Sequence, residues 1–306
     1  MKILVTGSSG FIGNELTKQL ISMNHSVMGI DKVVGQNTTH VINILDFFTF
    51  KEAVLEFGPT VIYHLAAETD IDSTKKIDDY KSNTNGIKNL VNVCNLCPTL
   101  KTVFFTSTIH VHRLGYTSND FFTYWPQSSY GESKVFGEQY LMQHLHADIV
   151  VFRLNSIWSE KAACVYTPFL NLSASGRIFR TPGRGALITF GHLENVTSAL
   201  INSLALEAEK MSNYPIYLGD YEPYNMNDWI QIIAKQNGRS TIIVPTLLLT
   251  IFGRLADVLG KLGFNSPISK KRIENFTTDR VYEMSRTKSL FGEEKVNYKT
   301  LNYKLK

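Results

Sequence analysis

The chain has 306 residues, 43% of them hydrophobic and 19% charged, which excludes a disordered or low-complexity protein and leaves room for one large domain or two. Its net charge of +4 is spread thinly, and the densest basic cluster, Lys270-Lys271-Arg272, is too short for a nucleic-acid surface; mild basicity fits a ligand that carries phosphate. Three cysteines, Cys94, Cys97 and Cys164, exclude a disulfide framework and point to a reducing, cytoplasmic compartment.

In chain order, Lys2 to Val5 reads as a strand that begins at once after Met1, with no signal-peptide pattern before it. Gly13 to Met23 follows with apolar residues at helical spacing (Leu16, Leu20, Ile21), then a strand from His25 to Ile30. A helix around Phe50 to Phe57, a strand from Val61 to Leu65, and a helix from Ile87 to Leu96 come next. Thr102 to Thr106 is a strand, Ser133 to His144 a helix, and Ile149 to Phe152 a strand. Strands alternating with helices predict parallel strands joined by right-handed crossovers, an α/β, Rossmann-like doubly wound sheet. Beyond Arg153 the pattern changes to Gly/Pro-rich loops (Gly176 to Gly191) and helices near Glu194 to Glu207 and Met226 to Gln236. This places a nucleotide-binding domain over 1–153, its sheet completed by later segments, and a smaller substrate-binding region over 154–306. Pro245 to Phe264 is apolar but broken by Arg254, Asp257 and Lys261, so it reads as an amphipathic helix and not as a membrane span. Cys94-x-x-Cys97 stands at the end of a helix with no second pair at metal spacing, and reads as packing; no metal is expected.

Between the first strand and first helix stands Thr6-Gly7-Ser8-Ser9-Gly10-Phe11-Ile12-Gly13. Gly7 permits a tight turn, Gly10 lets the backbone approach a pyrophosphate, and Gly13 lets helix and strand pack closely. The helix N-terminus then offers free N–H groups and a positive dipole end to phosphates. Asp31, at the end of the second strand, can accept hydrogen bonds from ribose hydroxyls and repels a 2′-phosphate, which favours NAD over NADP, with Lys32 beside it softening that preference.

With this glycine spacing, the chain resembles the extended short-chain dehydrogenase/reductases of the NAD-dependent epimerase/dehydratase family over nearly its whole length. The resemblance implies that Asp46, in Asn43-Ile44-Leu45-Asp46, contacts the adenine, that the loop His64-Leu65-Ala66-Ala67 passes under the cofactor, and that Asn83 opens the helix below the site. With Ser9, Gly10, Phe11, Ile12, Ile44, Leu45 and Thr106, these residues make the expected NAD site.

Tyr130-Gly131-Glu132-Ser133-Lys134 supplies a tyrosine and a lysine four residues apart, one face of a helix. A phenol with a pKa near 10 is a poor base at neutral pH, and a nearby cation brings its phenolate into range. Upstream, Phe104-Phe105-Thr106-Ser107-Thr108 ends in a hydroxyl that, by the resemblance, shares the substrate's reacting oxygen with Tyr130. The two residues that in 4,6-dehydratases are Asp and Glu are Ile109 and His110 here, which argues against dehydration; His110 is either an acid–base group or a pocket-lining donor. Val111-His112-Arg113 replaces the family's Val-Tyr-Gly.

For the substrate, Arg153-Leu154-Asn155-Ser156 resembles the segment leading into the binding region, with Asn155 one place earlier than the family's asparagine. Gly191-His192-Leu193-Glu194-Asn195-Val196 resembles a second family element, whose usual arginine, four residues before the histidine, is Ile188 here. Arg177, Arg180 and Arg184, and toward the C-terminus Arg272 and Arg280, are the arginines available to grip a diphosphate. The resemblance implies hydride transfer on a sugar nucleotide, by 4-epimerisation or 4-keto reduction or oxidation, in a homodimer paired through Ile87 to Leu96 and Ser133 to Leu145. A hydroxysteroid or other apolar alcohol dehydrogenase, with its support in the Leu247 to Leu262 helix and the missing arginine, and a cofactor-binding regulatory protein without catalysis are the alternatives.

Overall fold

The structure, a computed structural model, describes residues 1–71, 74–116, 120–212, 214–249, 251, 254 and 270–304. Two compact units interleave along the chain: one comprises Met1–Asn155, Asn195–Leu218 and Met284–Glu293, the other Ser156–Glu194, Gly219–Glu283 and Glu294–Lys306.

The first unit is built on a seven-stranded sheet. Its strands are β1 (Lys2–Thr6), β2 (Ser26–Asp31), β3 (His40–Val41), β4 (Val61–His64), β5 (Thr102–Thr108), β6 (Asp148–Leu154) and β7 (Ile216–Leu218). They lie in the order β7-β6-β5-β4-β1-β2-β3, and every neighbouring pair is parallel. The reversal of direction at β1 makes the doubly wound pattern, which brings the carboxyl ends of β1 and β4 side by side. Period-two alternation sorts the two faces. Leu4, Ile62, Val103, Phe105 and Val151 join the core beneath helices α2 (Phe47–Phe57), α3 (Lys81–Asn95) and α4 (Ser129–His144). On the other face Tyr63 stacks on Phe104 at 4.7 Å and Phe104 on Phe152 at 5.8 Å. There the Tyr63 hydroxyl donates to the Leu200 carbonyl at 2.6 Å, tying the helix Leu193–Asn202 to the sheet.

The helix boundaries have local causes. Helix α1 (Phe11–Ser22) opens at Gly10, α2 is capped by the Asp46 side chain and stopped by Gly58 at φ +59°, and α4 starts on the Ser128 hydroxyl, which accepts from Gly131 N–H at 3.1 Å. Because α4 begins at Ser129, four residues before the predicted start, Tyr130 sits in its first turn. Because β5 runs to Thr108, two residues past the predicted end, the hydroxyl of Thr108 belongs to the sheet edge. Cys94 and Cys97 are both buried, and burial pushes the Cys94 thiol well up, as packing residues require.

The second unit is held by an aromatic core in which Trp158, Phe169, Phe190, Tyr224, Trp229 and Tyr298 interlock. Indole and phenol tips within it find partners: Trp158 Nε1 donates to the Tyr224 hydroxyl at 3.1 Å, and Trp229 Nε1 to the Tyr303 hydroxyl at 3.0 Å. Its helices are Thr167–Ala174, Met226–Gln236 and Lys270–Thr277. Residues 246–249 are helical, and most of the predicted helix from Leu247 to Leu262 lies outside the described residues. Among the described residues, no helix is long and apolar enough to cross a membrane.

Candidate active site

The glycine loop folds as a turn that only glycine fits at two positions. Gly7 has φ +79°, and a Cβ there would stand 2.7 Å from the Ala66 nitrogen, so the loop lies directly on the segment Leu65-Ala66. A Cβ on Gly13 would stand 2.0 Å from the Gly7 carbonyl oxygen, so α1 leaves the sheet in contact with the loop's own backbone. Around Gly10 a Cβ would meet only that same carbonyl, at 3.1 Å, and its face is otherwise open. The helical ladder begins with Asn14 N–H donating to Gly10 O at 2.9 Å, so the N–H groups of Phe11, Ile12 and Gly13 precede it. An open glycine face beside a helix N-terminus, at the end of the first strand of a doubly wound sheet, fits a dinucleotide pyrophosphate.

Asp31 ends β2 beside this loop. Its carboxylate accepts from Ser9 N–H at 3.0 Å and Val33 N–H at 3.2 Å, which fixes both oxygens while leaving lone pairs for ribose hydroxyls. Lys32 next to it is exposed. The following segment returns over the loop: the Thr38 hydroxyl is 2.7 Å from Ser8 Oγ and 2.6 Å from Ser9 Oγ. Asp46 has a structural task, since its side chain caps α2 by accepting from Thr49 N–H at 3.3 Å and Thr49 Oγ1 at 2.7 Å, and these bonds hold its carboxyl below the usual range. The carbonyls of Ile44 and Leu45 are held by the Asn89 amide at 2.9 and 3.3 Å. Asn83 joins three pieces: its Oδ1 accepts from Glu68 N–H at 2.8 Å, and its Nδ2 donates to Glu68 O and Ser133 Oγ, both at 2.9 Å. It thereby locks the loop after Ala67 to the start of α4.

Thr108, Tyr130 and Lys134 converge where β5 ends against the first turns of α4. Tyr130 is buried and hydrogen-bonded to the Thr108 side chain; burial pushes its phenol up to about 12, against the pull of Thr108. Lys134 Nζ donates to the Thr106 carbonyl at 2.9 Å and lies 5.1 Å over the Phe105 ring, and burial draws its ammonium down to about 8 while the Glu138 carboxylate opposes that fall. Thr106 is anchored in turn through Oγ1 to the His64 carbonyl at 3.0 Å. His110 stands edge-on to Tyr130, ring centroids 6.0 Å apart, and its backbone N–H donates to Thr108 Oγ1 at 3.3 Å.

Below this trio lies a buried ionic network that the sequence reading did not single out. Glu138, one turn beyond Lys134 on the same face of α4, accepts from Arg153 Nε at 3.0 Å and Nη2 at 2.7 Å, from Ser107 Oγ at 2.5 Å and from the Tyr124 hydroxyl at 3.0 Å. Arg153 also donates to His112 Nε2 at 2.9 Å and to the Phe121 carbonyl at 2.8 Å. Arg153, at the head of the segment expected to lead into the substrate region, is thus fully buried inside the sheet unit. The spacing Tyr130, Lys134, Glu138 was the available signal; its partner on β6 was not visible from spacing.

Two buried histidines make the unit acid-sensitive. His64 shares a hydrogen with Thr6 Oγ1 at 2.8 Å, and burial followed by the charge of Lys134 lowers it to about 3. His112 is lowered to about 4 by burial and by Arg153. Both are neutral when folded and bind protons near 6.5 when unfolded, so their contribution is complete above pH 6.5 and falls as pH drops toward 4, by about 1.4 kcal/mol per pH unit for each. The thermal midpoint, followed by circular dichroism, is expected to climb from about pH 4.5 to pH 6.5 and level off above; a flat midpoint across that window contradicts the assignment.

The residues expected to bind substrate fall in both units. In the sheet unit Asn155 is buried, with its amide donating to Leu218 O at 3.1 Å. In the second unit Arg180 Nε donates to Thr241 Oγ1 at 2.6 Å, and Arg184 pairs at 2.6 Å with Asp279 in an exposed salt bridge. Arg272 lies on the helix Lys270–Thr277, and its side chain is outside the described residues. Arg280 forms a backbone bridge with Ile188, the position where the family arginine is missing: Arg280 N–H donates to Leu187 O at 2.8 Å and Thr189 N–H to Arg280 O at 2.9 Å. Tyr166 faces both Arg280 and Ser156.

Fold and glycine-loop geometry together define a Rossmann-like dinucleotide-binding α/β protein. The model of the NAD-dependent epimerase/dehydratase family matches residues 3–199, and the chain belongs to that family. It is 30% identical over 157 residues to a UDP-glucose 4-epimerase of Mycolicibacterium smegmatis, a match that covers 46% of this chain and 50% of that protein, so the likeness spans only half the length of that relative. Over 269 residues, 80% of each chain, it is 26% identical to a decarboxylating sterol-4-alpha-carboxylate 3-dehydrogenase of Dictyostelium discoideum. The solved UDP-glucuronic acid 4-epimerase of Bacillus cereus, in complex with NAD, superposes with a TM-score of 0.73 at 20% identity over 98% of this chain and 93% of that one, which shows the shared fold.

Proposed function

We propose that the chain uses NAD to oxidise, reversibly, a secondary hydroxyl of a nucleoside-diphosphate sugar, with inversion at C4 or net 4-keto oxidation or reduction as the outcome. The observation that carries this reading is the convergence of Thr108, Tyr130 and Lys134 at the β5–α4 junction, beside a glycine loop shaped for a pyrophosphate. NAD, when bound, accepts and returns the hydride. Thr108 orients the substrate hydroxyl, and Tyr130 takes its proton as the carbon loses hydride, leaving a ketone. Returning the proton from Tyr130 as hydride comes back to the opposite face gives the epimer; release of the ketone gives net oxidation. Lys134, kept cationic with help from Glu138, favours the phenolate electrostatically and would hold the nicotinamide ribose.

The NAD site in this reading comprises the loop residues 7–13, Asp31 with Lys32, the backbone at Ile44 and Leu45, the segment 65–67, and Asn83 as the residue that holds 68 and 133 in register. For the diphosphate, Arg280 stands in for the arginine absent at Ile188, because a backbone bridge pairs it with that position and its side chain lies near Tyr166 and Tyr282. A second reading, oxidation of an apolar alcohol, is favoured by Ile188 itself and by the likeness to the sterol dehydrogenase over four-fifths of the chain. The test is to release and identify the nucleotide bound to the purified protein, then follow UDP-glucose and UDP-galactose by NMR and NADH by absorbance. Interconversion, or NADH formation with a sugar nucleotide, is expected; turnover of 3-hydroxysterols alone moves the assignment to the second reading, and no turnover on either class removes both.

A further inference from the structure

A short ribbon in the second unit is bare on both faces. Strand Phe179–Arg180 pairs in parallel with Ile242–Ile243, and Val244 N–H closes the pair on Arg180 O at 2.8 Å. Successive strand residues point to opposite sides, yet Ile242 and Ile243 are both exposed, at 61% and 54%, as is Phe179 across from Ile242. The helical turn that follows continues the pattern: Leu247 is 72% exposed, and Leu248 and Ile251 are exposed as well. Six large apolar side chains on adjacent segments, uncovered on more than one side, are unlike the single apolar residues scattered over an ordinary surface.

Among the described residues, the charged residues nearest to these segments in sequence are arginines. Arg177, Arg239 and Arg254 are exposed, and the first two are neighbours, since a Cβ on Gly176 would stand 3.1 Å from Arg239 Cβ. Arg180, inside the ribbon, is held by Thr241 and by Gln231 at 3.4 Å. The ribbon's two strands come from stretches with no acidic residue, one between Glu160 and Glu194, the other between Asp228 and Asp257.

We propose that this cationic apolar ribbon is a peripheral docking site for an anionic phospholipid bilayer. A flat protein partner covers one face of a two-stranded ribbon, whereas insertion into the interfacial layer of a bilayer covers both. Arg177 and Arg239 lie together at one end of the ribbon, where their aliphatic stems can bury and their guanidinium groups can reach lipid phosphates. Surface attachment of this kind needs no membrane span.

Co-sedimentation of the full chain with vesicles tests the site, using phosphatidylcholine alone against an equal mixture with phosphatidylglycerol. The protein is expected to pellet with the mixed vesicles only, and to be released at about 1 M salt, where screening shortens to about 3 Å. Arg177→Ala and Arg239→Ala each weaken binding about fivefold, the equivalent of about 1 kcal/mol per cation near a charged bilayer. The double variant Leu247→Ser, Leu248→Ser loses binding with an unchanged thermal midpoint. The proposal is overturned if the protein pellets with neither vesicle, or if the variants pellet as the parent does. It is equally overturned if sedimentation velocity shows the serine variant turning a dimer into a monomer, since the ribbon then meets a second copy of the chain.

Discussion

Tyr130→Phe is expected to lower kcat by about 10²- to 10⁴-fold, the contribution of a positioned general base, while bound NAD survives purification unchanged. The substitution deletes one oxygen from a side chain that is buried and already packed near Tyr80 and His110, with ring centroids 6.1 and 6.0 Å away. The ring therefore keeps its place, and the glycine loop, Asp31 and Asn83 are not touched by the change. The phenol is held up to about 12 by burial, so proton transfer depends on the positive charge gathered around it. Lys134→Met should add to the loss and also weaken NAD retention, because Lys134 is both the nearby cation and the proposed ribose contact. Turnover is read by NMR of the sugar nucleotide and NAD content by chromatography of the denatured protein. Full activity in Tyr130→Phe assigns the chemistry to another group, and His110, edge-on to the same ring, is the first to substitute next.

What was legible in the sequence follows from how local each signal is. The glycine loop, Asp31 and the Tyr130–Lys134 pair are short-range patterns whose geometry is dictated by a turn, a strand end and the helical repeat, and the structure sets all three around one corner of the sheet. The parallel, doubly wound sheet was implied by the alternation of elements, yet the three-residue strand Ile216–Leu218 joins β6 after a long excursion through the second unit, and a segment that short carries no periodicity to read. Asp46 shows a different kind of gap. An aspartate directly before an apolar run is also a helix-start signal, and the structure uses its carboxylate as the cap of α2. Arg184 and Arg280 looked alike in sequence, but one is an exposed partner of Asp279 and the other is bridged to Ile188. That distinction depends on a strand pairing across some ninety residues, and such pairings are set by tertiary packing.

Glu138→Gln is expected to destabilise the protein by about 3–5 kcal/mol, the range for stripping one partner from a buried ion pair, with a fall in thermal midpoint on the order of 10 °C for a protein of this size. Glu138 and Arg153 are both fully buried, and Glu138 is the single carboxylate bonded to that guanidinium among the described residues. Without the negative charge, Arg153 remains in the low-dielectric interior with neutral acceptors, the new carboxamide oxygen, the His112 ring, the Phe121 carbonyl and Tyr217, and His112 cannot gain a proton to help because its charge would repel the guanidinium. The cost divides into the uncompensated charge of the arginine and the weakening of the Ser107 and Tyr124 hydrogen bonds, of which one now faces an NH2 group in place of a carboxylate oxygen. Replacing both members, Glu138→Met with Arg153→Met, should recover much of the stability, since two apolar side chains need no such partners. It should not recover activity, because Ser107 is next to Thr108 on β5 and Glu138 supports the charge of Lys134 one turn away on α4. Urea unfolding and turnover measured on the same three proteins separate these roles: stability restored with activity still low identifies the pair as the support of the site. Recovery of neither marks a packing role for the two side chains beyond their charge.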